Sequence, residues 1–351
     1  MTAGRGWRVR AYRSGDDDAL IALFNTVFGR PITPAYWSWK LKTLPTPVET
    51  VGLAVDSEDR PIFQLAGIPV RFCICGADRL VMVAVDAMTA PSFRRQGILR
   101  AAGRRLFESW REAGVAMVLG LPNEQYNPVA LGWESLFPLR WRVHPLRPYR
   151  LLARRLGIQT DVSTHAINRW WRWWWNRGAS RPHAVTVRDL THDDLGADTI
   201  WQRLRERVAF SVVRDQAWIR WRYEAAPHQR YRVFLAERAG DPVGFAAYGL
   251  TGTSPFARAV ITEVCTIPGD VVTVRALVRH VARTAVGDGA ASLATLAVPA
   301  TWLDRVLRRM GFWFTPAAFR MACVRLDPTL TLPALRDRSA WCIGGGDFDV
   351  V

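Results

Sequence analysis

The residues with the most chemistry to offer stand together at 90–100, APSFRRQGILR, where a turn dense in cationic side chains delivers a glycine into the first turn of a helix. A helix start presents backbone N–H groups without intrahelical partners and the positive end of the helix dipole, so this junction suits an anion, phosphate above all. Gly97 lets a diphosphate approach the backbone because it has no Cβ to collide. Arg94 and Arg95 add charge-assisted hydrogen bonds. The same residues would also serve as a charged loop at the head of an ordinary helix. Metal chemistry has no comparable constellation. The six histidines lack HxxxH or HxH spacing, and the five cysteines (Cys73, Cys75, Cys265, Cys323, Cys342) form no CxxC pair. Reduced thiols and no metal are expected.

The loop needs a strand to deliver it and a helix to receive it. LVMVAVDAMT at 80–89 is an apolar run of strand length. From Gly97 to Ala113, Leu99, Ala102, Leu106, Trp110 and Ala113 recur at helical spacing, with Arg100, Arg104, Arg105 and Arg111 between them. VAMVLGLP (115–122) reads as a buried strand, and NEQYNPVALGWESL as a short helix that ends near Gly132. The order strand, helix, strand, helix returns further on as AVITEVCTI, a helix over 271–286, ASLATLAVP and TWLDRVLRRMGF. An echo ties the halves together: Trp39, Lys40 and Pro45 of YWSWKLKTLP match Trp221, Arg222 and Pro227 of WIRWRYEAAP at identical spacing, and a β-hairpin pattern follows each copy. The expectation is an α/β (α+β) chain of two similar domains, each a mixed sheet flanked by helices: 1–145, a connector at 146–182, 183–327, and an extended tail at 328–351.

MTAPSFRRQGIL resembles motif A of the GNAT acetyltransferase superfamily, in which Arg or Gln, two residues and a glycine follow a strand. Arg94, Gln96 and Gly97 fit, and Leu99 stands where Gly or Ala is usual. PNEQYNPVALGW, the two Trp-containing segments and the Trp-containing acidic tail are similar to the tandem branch related to enhanced-intracellular-survival proteins. The resemblance implies that the backbone of Gln96, Gly97, Ile98, Leu99 and Arg100 holds the diphosphate of acetyl-CoA or another acyl-CoA. It implies too that Ala87, Met88 and Thr89 pair with the pantetheine arm, flanked by Asn123 and Asn127. Acyl transfer from a thioester to an amine needs a base for the ammonium and an acid for the leaving thiolate. Asp86 is the candidate base, Tyr126 the candidate acid, and Val351 a source of a chain-terminal carboxylate, as relatives of that branch use. Asp86 would otherwise be a structural carboxylate, and Asp347 and Asp349 solvated acids of a packed or disordered tail.

In the second half the corresponding loop reads PGDVVTVR, with no RxxG and with Asp270 near the phosphate position, so this half is expected to be non-catalytic, with Trp221, Arg222 and Tyr223 in packing roles. The chain carries a net charge of +16, and from Arg140 to Arg177 nine arginines face one acid, Asp161. Within that connector, Ile167, Trp170, Trp171, Trp174 and Trp175 share one helical arc and Arg169, Arg172 and Arg177 the other. Such a segment fits between domains, or against an anionic membrane through 165–177, better than it fits single-stranded nucleic acid. No apolar run is long enough to span a bilayer and the N-terminus lacks a signal-peptide pattern, so a cytoplasmic protein is expected. The leading function is N-acyl transfer to an amine of a small molecule, sugar or lipid-linked precursor. The alternatives are an aminoacyl-tRNA-dependent transferase of peptidoglycan precursors and a non-catalytic membrane- or RNA-binding protein. Acceptor identity and oligomeric state are not encoded in a recognisable pattern.

Overall fold

The computed structural model of the chain describes residues 6–43, 48–122, 131–149, 169, 185–190, 196–253 and 256–348. The first half runs β1 (Trp7–Ala11), α1 (Asp17–Phe28), α2 (Pro34–Lys42), β2 (Val51–Asp56), β3 (Pro61–Ile74), β4 (Ala77–Thr89), α3 (Ile98–Glu112), β5 (Met117–Gly120) and β6 (Glu134–Pro145). The second runs β7 (Thr186–Asp189), α4 (Gly196–Arg205), β8 (Phe210–Val212), α5 (Gln216–Ile219) continued by a π-helical turn, Arg220–Glu224, then β9 (Tyr231–Arg238), β10 (Asp241–Thr251) and β11 (Arg258–Thr266). It closes with α6 (Val271–Gly287), β12 (Ser292–Ala297), α7 (Trp302–Arg309), β13 (Trp313–Arg325) and β14 (Trp341–Cys342). The strands and helices expected around the phosphate loop and its second-half counterpart are all present. The helix expected at 123–132 lies mostly outside the described residues, as does nearly all of the connector.

The strands form one mixed sheet in the order β1-β2-β3-β4-β5-β13-β6-β12-β11-β10-β9-β7, while β8 pairs with β3 and β14 with β8. Matching the halves in sequence order turns this into a palindrome, with β4–β5 and β11–β12 as the parallel neighbours on either side. The centre is an exchange. β13 of the second half lies against β5 of the first, and β6 of the first lies against β12 of the second. β5 and β12 are buried at every position, so their backbone groups need partners on both edges. Each half supplies the other's missing partner. Helices cover both faces: Ile98, Leu106 and Trp110 of α3 join Phe63 and Leu65 on one side, and Leu20, Phe24 and Trp37 of α1 and α2 join Leu53 and Ile68 on the other. Among the described residues no helix is long and apolar enough to cross a membrane.

The echoed tryptophans meet. Trp39 and Trp221, 182 positions apart, stack with ring centroids 5.0 Å apart and planes 15° from parallel. Trp39 Nε1 donates to the Trp221 carbonyl at 2.9 Å, and Trp221 Nε1 to the Trp39 carbonyl at 3.4 Å. The repeated motif therefore binds itself where α2 meets the π-helical turn. Replacing Trp39 by Ala removes a buried indole and its donor, and is expected to cost about 3 kcal/mol. Because both side chains make the same contact, the W39A/W221A double variant should lose about 1 kcal/mol less than the sum of the single losses, read from urea unfolding.

Candidate functional site

Between Gln64 and Ala66 the register of β3 against β4 slips, and Asp86 takes a positive φ of 50°, a conformation open to few non-glycine residues. The resulting bulge turns Asp86 toward α2, where its Oδ2 lies 2.8 Å from Lys40 Nζ, both side chains buried. A buried ion pair of this kind stands only while both partners are present, since removing one strands the other's charge. Lys40 also sits over the Tyr36 ring, 5.3 Å from its centroid.

Just before the bulge, β4 parts from β5. Their ladder stops at Val83 and Leu119, and from Ala84 to Thr89 β4 keeps β3 on one edge with no strand on the other among the described residues. Ala87 is exposed on this stretch. The chain then makes a 3-10 turn at Pro91–Phe93, passes through left-handed conformations at Arg95 (φ 63°) and Gly97 (φ 78°), and enters α3. Arg94 Nε donates to the Thr89 carbonyl and the Gln96 amide to the Ser92 carbonyl, each at 3.3 Å, so the loop braces itself. Arg94, Arg95, Gln96 and Arg100 are exposed, Ile98 is buried and Leu99 half-buried. Gly97 offers no side-chain cap, the first turn of α3 holds no acid, and a Cβ at Gly97 would meet nothing within 4 Å. The result, among the described residues, is a strand edge with no strand beside it, running into an open, cationic helix start. It can hold an extended chain that pairs with the strand and ends in an anion.

The matching junction of the second half is closed. Asp270 caps α6, accepting from the Thr273 N–H at 3.1 Å and the Thr273 hydroxyl at 2.7 Å, and Arg238 Nη2 donates to it at 2.9 Å. A carboxylate already occupies the position an anion would take.

The tail packs against strands of both halves. Trp341 stacks on Phe210 at 4.5 Å, edge-on to Phe72 and Phe137, and β14 pairs with β8. Beyond it, Arg214, fully buried, donates from Nη2 to both Asp347 oxygens at 2.9 and 2.7 Å, while its Nε lies 3.0 Å from Glu263. Arg222 Nε donates to the Gly346 carbonyl at 2.9 Å, and its Nη1 to the Tyr231 hydroxyl at 3.2 Å. Burial pushes the Glu263 carboxyl up to about 7, with Asp347 adding to the rise and Arg214 opposing it; Asp347 is raised for the same leading reason.

Of the residues singled out in sequence, Asp86, Ala87, Met88, Thr89, Arg94, Arg95, Gln96, Gly97, Ile98, Leu99 and Arg100 form one continuous stretch from bulge to helix. Asn123, Tyr126, Asn127 and Val351 lie outside the described residues, as does the connector apart from 146–149 and Arg169, which is exposed. Asp347 is corrected: it is not solvated but buried against Arg214, because the glycines before it let the chain lie on β11. Sequence reasoning missed Lys40 as the partner of Asp86, although the echo had marked that position. It also missed Gln64, the register partner of Met88, which is fully buried with neither amide atom hydrogen-bonded among the described residues.

Residues 8–135 match the family described as acetyltransferase (GNAT) domain. No curated protein matches the chain in sequence. A GCN5-related N-acetyltransferase from Anabaena variabilis superposes with a TM-score of 0.65 at 10% identity, over 92% of this chain and 73% of that one. A probable N-acyltransferase from Enterococcus faecalis gives 0.65 at 11% identity, over 91% and 73%. Saccharomyces cerevisiae N-myristoyltransferase with bound myristoyl-CoA gives 0.63 at 10% identity, over 98% and 90%. At these identities the likeness is one of fold. Among the described residues no group of three or more His, Cys, Asp or Glu side chains is placed to hold a metal ion.

The raised carboxyl of Glu263 has a testable consequence. Its folded-state value, about 7, stands above its ordinary 4.5, so the folded protein keeps a proton that the unfolded chain releases in that window. The contribution is present below the lower value and lost as pH rises through the higher one. Tm followed across this interval should fall less steeply in Glu263→Gln, whose side chain stays neutral throughout, than in the wild type. Parallel slopes would show that Glu263 does not titrate there.

Proposed function

We propose that the acetyltransferase (GNAT) domain at residues 8–135 works as an acyl-CoA-dependent N-acyltransferase that passes the acyl group, acetyl in the first instance, directly to an amine of a small molecule, sugar or lipid-linked precursor. The observation that carries this reading is the edge of β4 from Ala84 to Thr89, which has no strand beside it among the described residues and runs into the arginine-flanked start of α3, where no side chain caps the helix. In this reading the N–H groups from Gln96 to Arg100 hold the coenzyme A diphosphate, with Arg94 and Arg95 supplying charge. Ala87, Met88 and Thr89 pair with the pantetheine, and Asn123 and Asn127 flank it. Asp86 takes the proton of the attacking ammonium, Lys40 fixes the position of its carboxylate, and Tyr126 returns a proton to the leaving thiolate. Val351 belongs to the same centre in this reading. The second half, over 183–327, is the non-catalytic partner, its helix start closed by Asp270. The myristoyl-CoA held by the yeast neighbour is in keeping with an acyl-CoA ligand on this fold.

Calorimetric titration of acetyl-CoA into the wild type and into Gly97→Glu tests the cofactor site. Binding by the wild type, weakened at least about a hundredfold in the variant by bulk and charge at the helix start, is the expected result. Absence of binding by the wild type would overturn the proposal. With an accepted amine in hand, Asp86→Asn and Tyr126→Phe should each lower turnover by about two orders of magnitude, the usual scale of a general base or acid. A normal rate in either would remove that residue from proton transfer.

A further inference from the structure

The buried charge cluster around Arg214 belongs to neither the phosphate loop nor Asp86, yet it is tied to both ends of the molecule. Arg214 lies two residues past the end of β8, a strand of the second half that pairs with β3 of the first, Phe72 facing Val212. Val213 N–H donates to the Arg71 carbonyl at 2.9 Å, and Arg71 pairs with Asp215. Arg214 is thus fixed against the first half's sheet before it touches the tail. On its other side it holds Asp347 through both carboxylate oxygens. The Asp347 carboxylate in turn accepts from the Gly344 N–H at 2.8 Å. The tail lies in a slot that admits no side chain: a Cβ on Gly344 would stand 2.9 Å from the Thr262 carbonyl, and one on Gly346 would run into the Tyr223 hydroxyl. The next residue, Phe348, is buried in the cluster that also contains Trp37 and Met88. Met88 ends the β4 bulge that carries Asp86.

We infer that Arg214 is a positioning residue for the transfer centre of the first half: by pinning Asp347 it fixes the register of the tail, and the tail seats Phe348 in the core that supports the β4 bulge. This rests on the proposal that the reaction takes place beside Asp86, and adds to it a residue of the other half. The cluster's composition bears this out. Arg214 and Arg222 face the two acids Glu263 and Asp347, and the tail lies with Asp347 opposite Arg214. Displacing the tail by one residue would put Gly346 or Phe348 against a buried guanidinium and Asp347 into an apolar site.

Hydrogen exchange followed by mass spectrometry on the full-length protein tests the coupling without needing an acceptor. In Arg214→Met, peptides covering 341–348 and peptides covering 84–93 are both expected to exchange at least about tenfold faster than in the wild type, while α3 stays protected. Arg214→Lys, which keeps the cation, should recover part of the protection at both places. Faster exchange confined to the tail, with 84–93 unchanged, would overturn the inference and leave Arg214 a local anchor. If Arg214→Met does not fold, Phe348→Ala keeps the charge cluster and breaks only the last link; unchanged exchange at 84–93 in that variant would be equally fatal. A wild type that fails to bind acetyl-CoA would sink the proposed function and would not alter this comparison.

Discussion

Neither half of this chain can complete its own sheet. β5 and β12 are buried on both faces, and a buried strand with an open edge leaves backbone N–H and C=O groups unpaired at a cost of about 1–3 kcal/mol each. The exchange of β13 and β6 settles both edges at once. It also commits the halves to a single fold, because separating them would expose four central strands rather than two polar surfaces. Two further bonds cross the same line. Arg142 of β6 is ion-paired with Asp304 of α7 at 2.6 Å, and His144 Nδ1 lies 3.0 Å from the Gly311 carbonyl. A second half without an open anion site is therefore not dispensable. It completes the sheet on which the first half's loop is mounted.

On that shared frame the two halves diverge by a few side chains. At one helix start Gly97 leaves the amides open; at the other Asp270 satisfies one of them and presents a carboxylate. The helix dipole favours an anion at either place by up to about 1 kcal/mol, but in the second case the anion is built in. The echoed cation diverges in the same way. Lys40 faces Asp86 across the α2–β4 gap, whereas Arg222, its counterpart, is given over to a carbonyl of the tail. At the first helix start the backbone groups carry no side-chain cap, and at the second they are spent on the protein's own Asp270.

What could be read from the sequence was local. The strand, loop and helix at 80–113 announce themselves because periodicity, Gly97 and six arginines all fall within some thirty residues. The fold class followed from the same alternation repeated. The strand exchange could not be read, because β6 and β13 carry ordinary strand patterns and nothing in a pattern names a partner more than 170 positions away. The Lys40–Asp86 pair was hidden for a related reason: a bulge re-aims one side chain, and the register slip that causes it is a property of two strands together. Asp347 was misread because acids near a chain end are usually solvated. The three glycines before it, which let the backbone lie against β11, were the available signal.

The tail raises a question of energetics that its contacts alone do not answer. Burying Arg214, Glu263 and Asp347 costs desolvation that their mutual attraction barely offsets, and an apolar plug built around Trp341 and Phe348 would bind at least as strongly. The apolar contacts, however, are tolerant of sliding. Trp341 against Phe210 and Phe348 in its cluster would keep most of their buried area after a small shift along the cleft. A guanidinium that must meet two carboxylate oxygens with one nitrogen and a third group with another has no such tolerance. Adhesion comes from the aromatic residues, and register comes from the charges. A segment that needed only to be covered would have no use for the second, so the expense of the cluster is intelligible where the exact placement of the residues after Asp347 matters.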